Sequence, residues 1–206
     1  MLEIIAENKD YAVCIKPVGI SSEHDMVKLL SEQLGGEIYC VHRLDNAVGG
    51  IMVYARNKKS ASLLSQQIAE HQFKKVYLAV IEGTPENEEG TYTDLLFKDS
   101  SKNKTYVVSR MRKGVKEASL NYKVIVVKGN LTLVKVSLIT GRTHQIRVQF
   151  ASRKMPLVGD RRYGSKIKSD IIGLRSYSIS FTDPETNDAV SFTASNEPLF
   201  PFNIFE

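Results

Sequence analysis

A polar loop between two apolar runs constrains the fold of this chain more than any other stretch. The run Ile38–Val41 precedes the loop, and the run Ile51–Ala55 follows it after Gly49 and Gly50. Short apolar runs that flank a polar segment ending in Gly-Gly predict a strand, a loop and a second strand. The loop, 42–45, reads His-Arg-Leu-Asp. A histidine, an arginine and a carboxylate together on a sheet-anchored loop predict a functional site.

The same residues also allow a purely structural interpretation. Arg43 and Asp45 alone are compatible with a surface ion pair, which is worth about 0–1 kcal/mol. Asp45 alone is equally compatible with a turn-capping residue, because Asp side chains bond their own backbone. Three further segments favour a functional site when they are taken together with the loop. They read Lys-Val-Tyr at 75–77, Thr-Gly-Arg-Thr-His-Gln-Ile-Arg at 140–147 and Pro-Leu-Val-Gly-Asp at 156–160.

These four segments, in this order, resemble the pseudouridine synthases of the large family that modifies ribosomal and transfer RNA. The hallmarks of that family are HRLD, a later TGRTHQIR and a P-x-x-GD segment, and its Lys-Pro-x-Gly opening matches Lys16–Gly19. Each motif alone is a weak signal, but their order and spacing make a strong one. The likeness covers about Tyr11 to Gly164. It implies an α+β fold with a mixed, mainly antiparallel bent β-sheet, flanking helices and a central cleft.

The resemblance also implies a reaction and assigns residues to it. In that reaction the N1–C1′ bond of a uridine breaks, the uracil turns, a C5–C1′ bond forms and the C5 proton leaves. Asp45 matches the catalytic aspartate, whether it attacks C1′ or acts through a glycal intermediate. Arg147 would pair with Asp45 and keep it ionised, while Tyr77 would stack on the base and is the candidate for removing the C5 proton. Because the reaction has no redox step and no net hydrolysis, the resemblance implies neither a cofactor nor a metal.

Positive charge is concentrated in the second half of the sequence and predicts a polyanionic partner. The net charge is +5, but residues 98–128 and 142–175 each hold nine Lys or Arg and two acidic residues, which leaves −9 for the remainder. This distribution favours RNA through counterion release. For 98–128 an ordinary solvated face stays open as an alternative. The candidate RNA contacts lie in or near the motifs, and Arg43 would also fill the space of a flipped uridine. They are Arg43, Arg142, Arg161, Arg162 and Lys166.

Strand patterns dominate the rest of the chain, with about three helices among them. Helical spacing of apolar residues predicts a first helix that stops at Gly35-Gly36. A second helix is predicted over about 57–72 with Asn57 as its cap, and a third with Thr140 or Thr143 as its cap. Several neighbouring strands look hairpin-linked, which is typical of an α+β protein with a mostly antiparallel sheet.

Length and composition place the chain among globular proteins. The 206 residues, 42% hydrophobic and 25% charged, predict a single catalytic domain over 1–206 with no separate N-terminal RNA-binding domain. No apolar run approaches the roughly 20 residues of a membrane span, and acid near the N-terminus argues against a signal peptide. Cys14 and Cys40 both stand in apolar, strand-like runs and are expected to be buried free thiols in the cytoplasm, with a disulfide as the alternative. We expect a monomer that acts on structured RNA, either rRNA or tRNA.

Two other classes of function fit parts of this pattern. A non-catalytic RNA-binding module of the same fold would keep the basic surface, but it would not need Asp45, Tyr77 and Arg147 intact. A hydrolase of N-glycosidic bonds commonly pairs two carboxylates, and no partner acid is evident beside Asp45. A metal site built from His42, His144 and the two cysteines lacks the usual C-x-x-C or H-x-x-x-H spacing.

Overall fold

The computed structural model describes residues 1–195 and 199–205, and the chain divides into two compact units. The first unit consists of Met1–Val76 and Arg175–Ser195. The second consists of Tyr77–Leu174 and the C-terminal segment, of which 199–205 are described. The expectation of one catalytic domain is not tested by this division and stays a prediction.

Strands outnumber helices among the described residues. The strands are β1 (Ile4–Glu7), β2 (Tyr11–Lys16), β3 (Tyr39–Cys40), β4 (Gly49–Ala55), β5 (Lys74–Glu82), β6 (Glu89–Asp99), β7 (Lys104–Val108), β8 (Val115–Lys128), β9 (Leu131–Leu138), β10 (Leu174–Thr182) and β11 (Ala189–Thr193). The helices are α1 (Asp25–Leu34), α2 (Lys58–Ala69) and α3 (Gln145–Ser152), and two 3₁₀ turns span Arg161–Tyr163 and Asn203–Phe205. The predicted α+β class is confirmed.

The strands of the first unit surround β4. They are hydrogen-bonded in the order β1-β2-β4-β10, with β3 beside β4 and β11 beside β10. Only the β4–β10 pairing is parallel among these pairs, and it sets Gly50 opposite Ser176. Glycine is required at this point because a Cβ on Gly50, whose φ is +115°, would lie 2.1 Å from the Ser176 carbonyl oxygen. Every residue of β4 is buried, so the position at which the chain leaves the 42–45 loop and enters this strand is fixed.

Local signals set the helices of the first unit. The side chain of Asn57 accepts a hydrogen bond from the Ser60 amide, so the predicted cap of α2 is confirmed. That helix ends at Ala69, earlier than predicted, and His71 soon after it has a positive φ of 60°. The predicted stop of α1 is confirmed, with Gly35 at its C-cap. No helix within 1–195 or 199–205 has the length and apolar character needed to cross a membrane.

The strands of the second unit lie in the order β5-β9-β8-β6-β7, and the β6–β7, β6–β8 and β8–β9 pairs are antiparallel. The helix α3 packs on this sheet through Phe150, whose ring contacts Tyr92 and Tyr122 at centroid distances of 5.3 Å and 6.0 Å. The mainly antiparallel pairing that was predicted is therefore confirmed within each unit. The bend and the central cleft that the resemblance implies stay predictions.

The predicted cap of α3 is wrong. The residue that precedes the helix is His144, which is left-handed with a φ of 54° and makes no side-chain cap bond. The Gln145 side chain instead fastens the turn before the helix, because its Oε1 accepts the Arg142 amide at 2.9 Å and the Thr140 hydroxyl at 2.9 Å. Thr143 lies one residue before the N-cap position, and its carbonyl accepts the Thr105 hydroxyl at 2.9 Å.

Candidate active site

The loop His42–Asp45 lies in the first unit between β3 and β4 and is held through its backbone. The Ser22 hydroxyl donates to the Leu44 carbonyl at 3.0 Å and accepts the Leu44 amide at 3.1 Å. The Asp45 carbonyl accepts the Val48 amide at 2.9 Å and closes the turn into β4. Asp45 is half-buried, whereas Leu44 beside it is buried. The strand–loop–strand prediction is confirmed.

A buried lysine also holds this loop. Lys16 is 0% exposed, and its Nζ donates to three carbonyls, those of Val48 at 2.8 Å, Pro17 at 3.0 Å and Asn46 at 3.4 Å. Burial lowers the pKa of Lys16 to about 8, and the negative charge of Asp45 opposes this shift. The three carbonyl dipoles compensate a cation that would otherwise be costly to bury. Lys16 therefore fixes the loop and contributes positive charge toward Asp45.

His42 is a structural residue of the loop. Its Nε2 accepts the Val53 amide at 3.2 Å, and its ring lies 5.3 Å from the ring of Phe73. Burial lowers the pKa of His42 to about 3, so its imidazole is neutral at physiological pH. With Nε2 as the acceptor, the proton lies on Nδ1, for which the described residues offer no hydrogen-bond partner. The same residues contain no cluster of His, Cys, Asp and Glu able to hold a metal ion.

Arg43 extends into solvent from the same loop. Its Nη1 lies 2.9 Å from Oε2 of Glu23, and both side chains are about half exposed. An exposed pair of this kind contributes about 0–1 kcal/mol, so Arg43 is readily released to another anion. Its role beside a flipped uridine stays a prediction.

Arg147 lies on α3 in the second unit and forms a buried ion pair with Asp160. Its Nε lies 2.6 Å from Oδ2 and its Nη2 2.9 Å from Oδ1 of Asp160, with the side chains 6% and 1% exposed. Such bidentate pairs are among the strongest polar contacts in proteins. This burial argues against a surface phosphate contact by Arg147. The predicted pairing of Arg147 with Asp45 would join residues of different units and stays a prediction.

Tyr77 lies on β5 and is 6% exposed. Burial in a strand is what a core aromatic and a base-stacking tyrosine would both show, so the proposed role of Tyr77 is not decided by its exposure. That role stays a prediction.

The remaining candidate RNA contacts belong to the second unit and are exposed. They are Arg142, Arg161, Arg162 and Lys166. Two of them also bond the backbone through their guanidinium groups: Arg142 Nε donates to the Glu117 carbonyl at 3.0 Å, and Arg162 Nη1 donates to the Asn103 carbonyl. Each therefore presents its charge from a defined position. Binding of RNA by these residues stays a prediction.

Several residues of the site were not found from the sequence. Lys16 is the lysine of the Lys-Pro-x-Gly segment and Asp160 the aspartate of the P-x-x-GD segment, so the available signal was the motif itself. Tyr163, three residues after Asp160, lies against Arg147, with the guanidinium Cζ 5.1 Å from its ring centroid. Lys16 and Asp160, which hold the Asp45 loop and Arg147, thus stand in the motifs, whereas Tyr163 lies just beyond them.

Comparison with known proteins agrees with the fold and the motifs. A solved structure, human RNA Pseudouridylate Synthase Domain Containing 1, matches with a TM-score of 0.83 and 22% identity over 98% of this chain and 85% of that chain, which shows a shared fold. The model of the RNA pseudouridylate synthase family matches residues 5–152. The chain belongs to this family, and the resemblance seen in its motifs is confirmed.

Two curated relatives place the chain further within the family. The uncharacterized RNA pseudouridine synthase YhcT of Bacillus subtilis (strain 168) is 33% identical over 181 residues, 81% of this chain. The dual-specificity RNA pseudouridine synthase RluA of Vibrio parahaemolyticus is 28% identical over 200 residues, 89% of this chain and 76% of that protein. The chain spans only 59% of the length of YhcT.

Proposed function

We propose that this protein is an RNA pseudouridine synthase that isomerises a uridine of rRNA or tRNA through Asp45. Family membership and the names of the relatives support the reaction class. The observation that carries the choice of Asp45 is the anchoring of its loop by Ser22 and by the buried Lys16. A half-buried carboxylate on a fixed backbone suits nucleophilic or charge-stabilising catalysis, which depends on a defined approach to the reacting atom.

In the proposed reaction the chain's own groups supply a charge, a clamp and a proton acceptor. Asp45 attacks C1′ or stabilises the charge that develops as the N1–C1′ bond breaks. Arg147 pairs with Asp45 in this proposal, and its bidentate contact with Asp160 holds the guanidinium in one orientation. After the uracil turns and the C5–C1′ bond forms, the C5 proton leaves toward a base, for which Tyr77 is the candidate.

The substrate in this proposal is structured RNA bound by exposed cations. The residues proposed to contact its phosphates are Arg43, Arg142, Arg161, Arg162 and Lys166, all of them exposed. Arginine and lysine on a rigid surface supply most of the affinity of proteins for nucleic acids. The two cysteines are free, which supports action in the reducing cytoplasm. A monomer remains the proposed state.

The test is tritium release from C5-labelled uridine in bulk cellular RNA, with wild type and Asp45→Asn in parallel. Wild type should release tritium, and Asp45→Asn should be slower by at least about 10⁴-fold, as expected when a catalytic group is removed. Asp25→Asn is the matched control, because Asp25 is an exposed carboxylate that also acts on Lys16 but lies outside the motifs.

Other outcomes would point to another class of function or to another catalytic residue. Tight RNA binding without release by any variant would favour the non-catalytic binding module. Free uracil in solution would indicate the hydrolase. Equal loss in Asp45→Asn and Asp25→Asn would refute the assignment of Asp45.

A further inference from the structure

We propose that Tyr163 is a positioning residue that holds Arg147 and His144 in the geometry required for pseudouridine formation. The inference rests on the proposed function and assigns a residue that the motif comparison leaves without a role. Tyr163 ends the 3₁₀ turn Arg161–Tyr163, which directly follows Asp160.

This single turn holds Arg147 from two directions. Asp160 bonds one edge of the guanidinium, and the ring of Tyr163 lies with its centroid 5.1 Å from Cζ. Residues i and i+3 of a 3₁₀ helix lie on the same side, so Asp160 and Tyr163 project together. The Tyr163 amide donates to the Asp160 carbonyl at 3.0 Å and closes this turn. An ion pair along the edge and a cation–π contact with the ring together restrict how Arg147 can rotate.

The hydroxyl of Tyr163 organises His144. It accepts the Thr105 amide at 2.9 Å and lies 2.9 Å from Nδ1 of His144. Because the hydroxyl oxygen already accepts the Thr105 amide, this arrangement favours donation of its own proton to Nδ1, and we infer that His144 carries its proton on Nε2. The two rings meet edge to face, with 85° between their planes. Tyr163 thereby selects one tautomer of a buried imidazole.

The backbone of His144 is an independent observation. Its φ of 54° is left-handed, and it is one of only five non-glycine residues with positive φ in the described chain. Non-glycine residues persist in this region when their surroundings over-determine them, and such residues cluster at functional sites. The preceding residue is fixed as well, since the Thr143 carbonyl accepts the Thr105 hydroxyl at 2.9 Å. Thr105, Tyr163 and His144 thus form one connected network.

Tyr106 offers a matched control for the ring of Tyr163. Both tyrosines are half-buried and both lie under the ammonium of Lys104, at 5.3 Å for Tyr163 and 5.5 Å for Tyr106. The contacts with Arg147 and His144 described above are made by Tyr163. A variant of Tyr106 therefore reports the loss of a half-buried aromatic ring without loss of the network.

The experiment compares Tyr163→Phe, Tyr163→Leu and Tyr106→Leu. Tritium release gives kcat and KM, and long-range ¹H–¹⁵N NMR of the histidine side chains gives the tautomer of His144. We expect kcat of Tyr163→Leu to fall about 100-fold, the order of loss that follows misplacement of a catalytic group, with KM equal to that of Tyr106→Leu. Tyr163→Phe keeps the ring and should lose the Nε2–H tautomer, with a smaller fall in kcat. A purely structural role would not move the tautomer in Tyr163→Phe.

The outcomes separate this inference from the proposed function. An unchanged kcat in Tyr163→Leu, a change in KM alone, or the same His144 tautomer in wild type and Tyr163→Phe would each overturn it. Wild type that releases no tritium would refute the proposed function, and the NMR comparison would still decide whether Tyr163 positions His144. If Tyr163→Leu shows no cooperative thermal transition, Tyr163→Phe decides by kcat and tautomer together.

Discussion

The loop of Asp45 and the surroundings of Arg147 are fixed by opposite means. In the loop, side chains hold backbone: Lys16 and Ser22 bond carbonyls and an amide. At Arg147, side chains hold a side chain, through the carboxylate of Asp160 and the ring of Tyr163. Backbone anchoring leaves Asp45 half-buried, whereas side-chain packing leaves the Arg147 side chain only 6% exposed.

The two kinds of anchoring suit the different roles proposed for Asp45 and Arg147. The carboxylate proposed to react lies on an anchored backbone and is half-buried. A group proposed to stay an ion tolerates enclosure, because its charge is compensated by a bidentate partner. The two regions should therefore respond to different kinds of substitution.

The largest effect is expected where backbone contacts backbone at the exit of the Asp45 loop. Gly50→Ala would place a Cβ 2.1 Å from the Ser176 carbonyl oxygen, so we expect a loss of about 5 kcal/mol or more in the free energy of unfolding, or no folded protein. Gly19→Ala is the control, because Gly19 has a φ of +95° and nothing lies within 4 Å of its Cβ position; its cost should be about 1 kcal/mol. If urea denaturation shows equal losses in the free energy of unfolding for Gly50→Ala and Gly19→Ala, the close approach of Gly50 to the Ser176 carbonyl does not matter for stability.

A smaller loss is expected where side chain holds side chain. Asp160→Ala leaves the Arg147 guanidinium buried without this partner, which should cost about 3–5 kcal/mol. Glu23→Ala removes the partner of Arg43 from an exposed pair and should cost about 0–1 kcal/mol. Thermal and chemical denaturation of both variants measure the contrast. Similar costs would mean that Asp160→Ala does not leave an uncompensated buried charge at Arg147.

The buried Lys16 should make the stability of the Asp45 loop depend on pH. Burial lowers the pKa of Lys16 from near 10.5 to about 8, so between these values the unfolded chain binds more protons than the folded one. The contribution of Lys16 to stability therefore rises with pH over this window, being least below about pH 8. Relative to Lys16→Met, wild type should gain on the order of 2 kcal/mol from pH 7.5 to pH 10, allowing for solvent screening. Taking the difference in the free energy of unfolding between wild type and Lys16→Met cancels the titration of all other groups. If this difference does not change with pH, the pKa of Lys16 is not lowered by burial.

The smallest effect on stability is expected at the exposed cations. Arg161→Gln and Lys166→Gln should change the free energy of unfolding by less than about 0.5 kcal/mol, since both side chains are exposed. Each should lower the slope of log binding constant against log salt for RNA by about 1, as expected for one lost phosphate contact. Lys28→Gln, at an exposed lysine of α1, is the control. An unchanged slope would remove that residue from the proposed RNA surface.

Much of the fold was predictable because its signals are local. The cap at Asn57, the stop at Gly35 and the alternating strands each follow from a few neighbouring residues. The left-handed His144 was missed because its conformation depends on contacts with Thr105 and Tyr163, which are distant in sequence.

The site was predicted in part for the same reason. Asp45, Tyr77 and Arg147 stand in recognisable motifs. Their supports were missed because a lysine 32 residues from Val48, or an aspartate 13 residues from Arg147, gives no pairing signal within its own segment. The motifs identify the site residues in the sequence, but the partners of these residues are determined by tertiary contacts.

The parallel pairing of β4 with β10 has a consequence for the order of events during synthesis. The first unit is built from Met1–Val76 and Arg175–Ser195, so about 100 residues are translated between its two parts. At about 5–20 residues per second, the ribosome needs roughly 5–20 s to cover that gap. During this interval Gly50 has no Ser176 to pair with, and the intervening chain contains nearly all of the second unit. We therefore expect the contacts of the Asp45 loop with Lys16 and Ser22 to be available early, and the pairing of Gly50 with Ser176 to form only after most of the second unit has been synthesised.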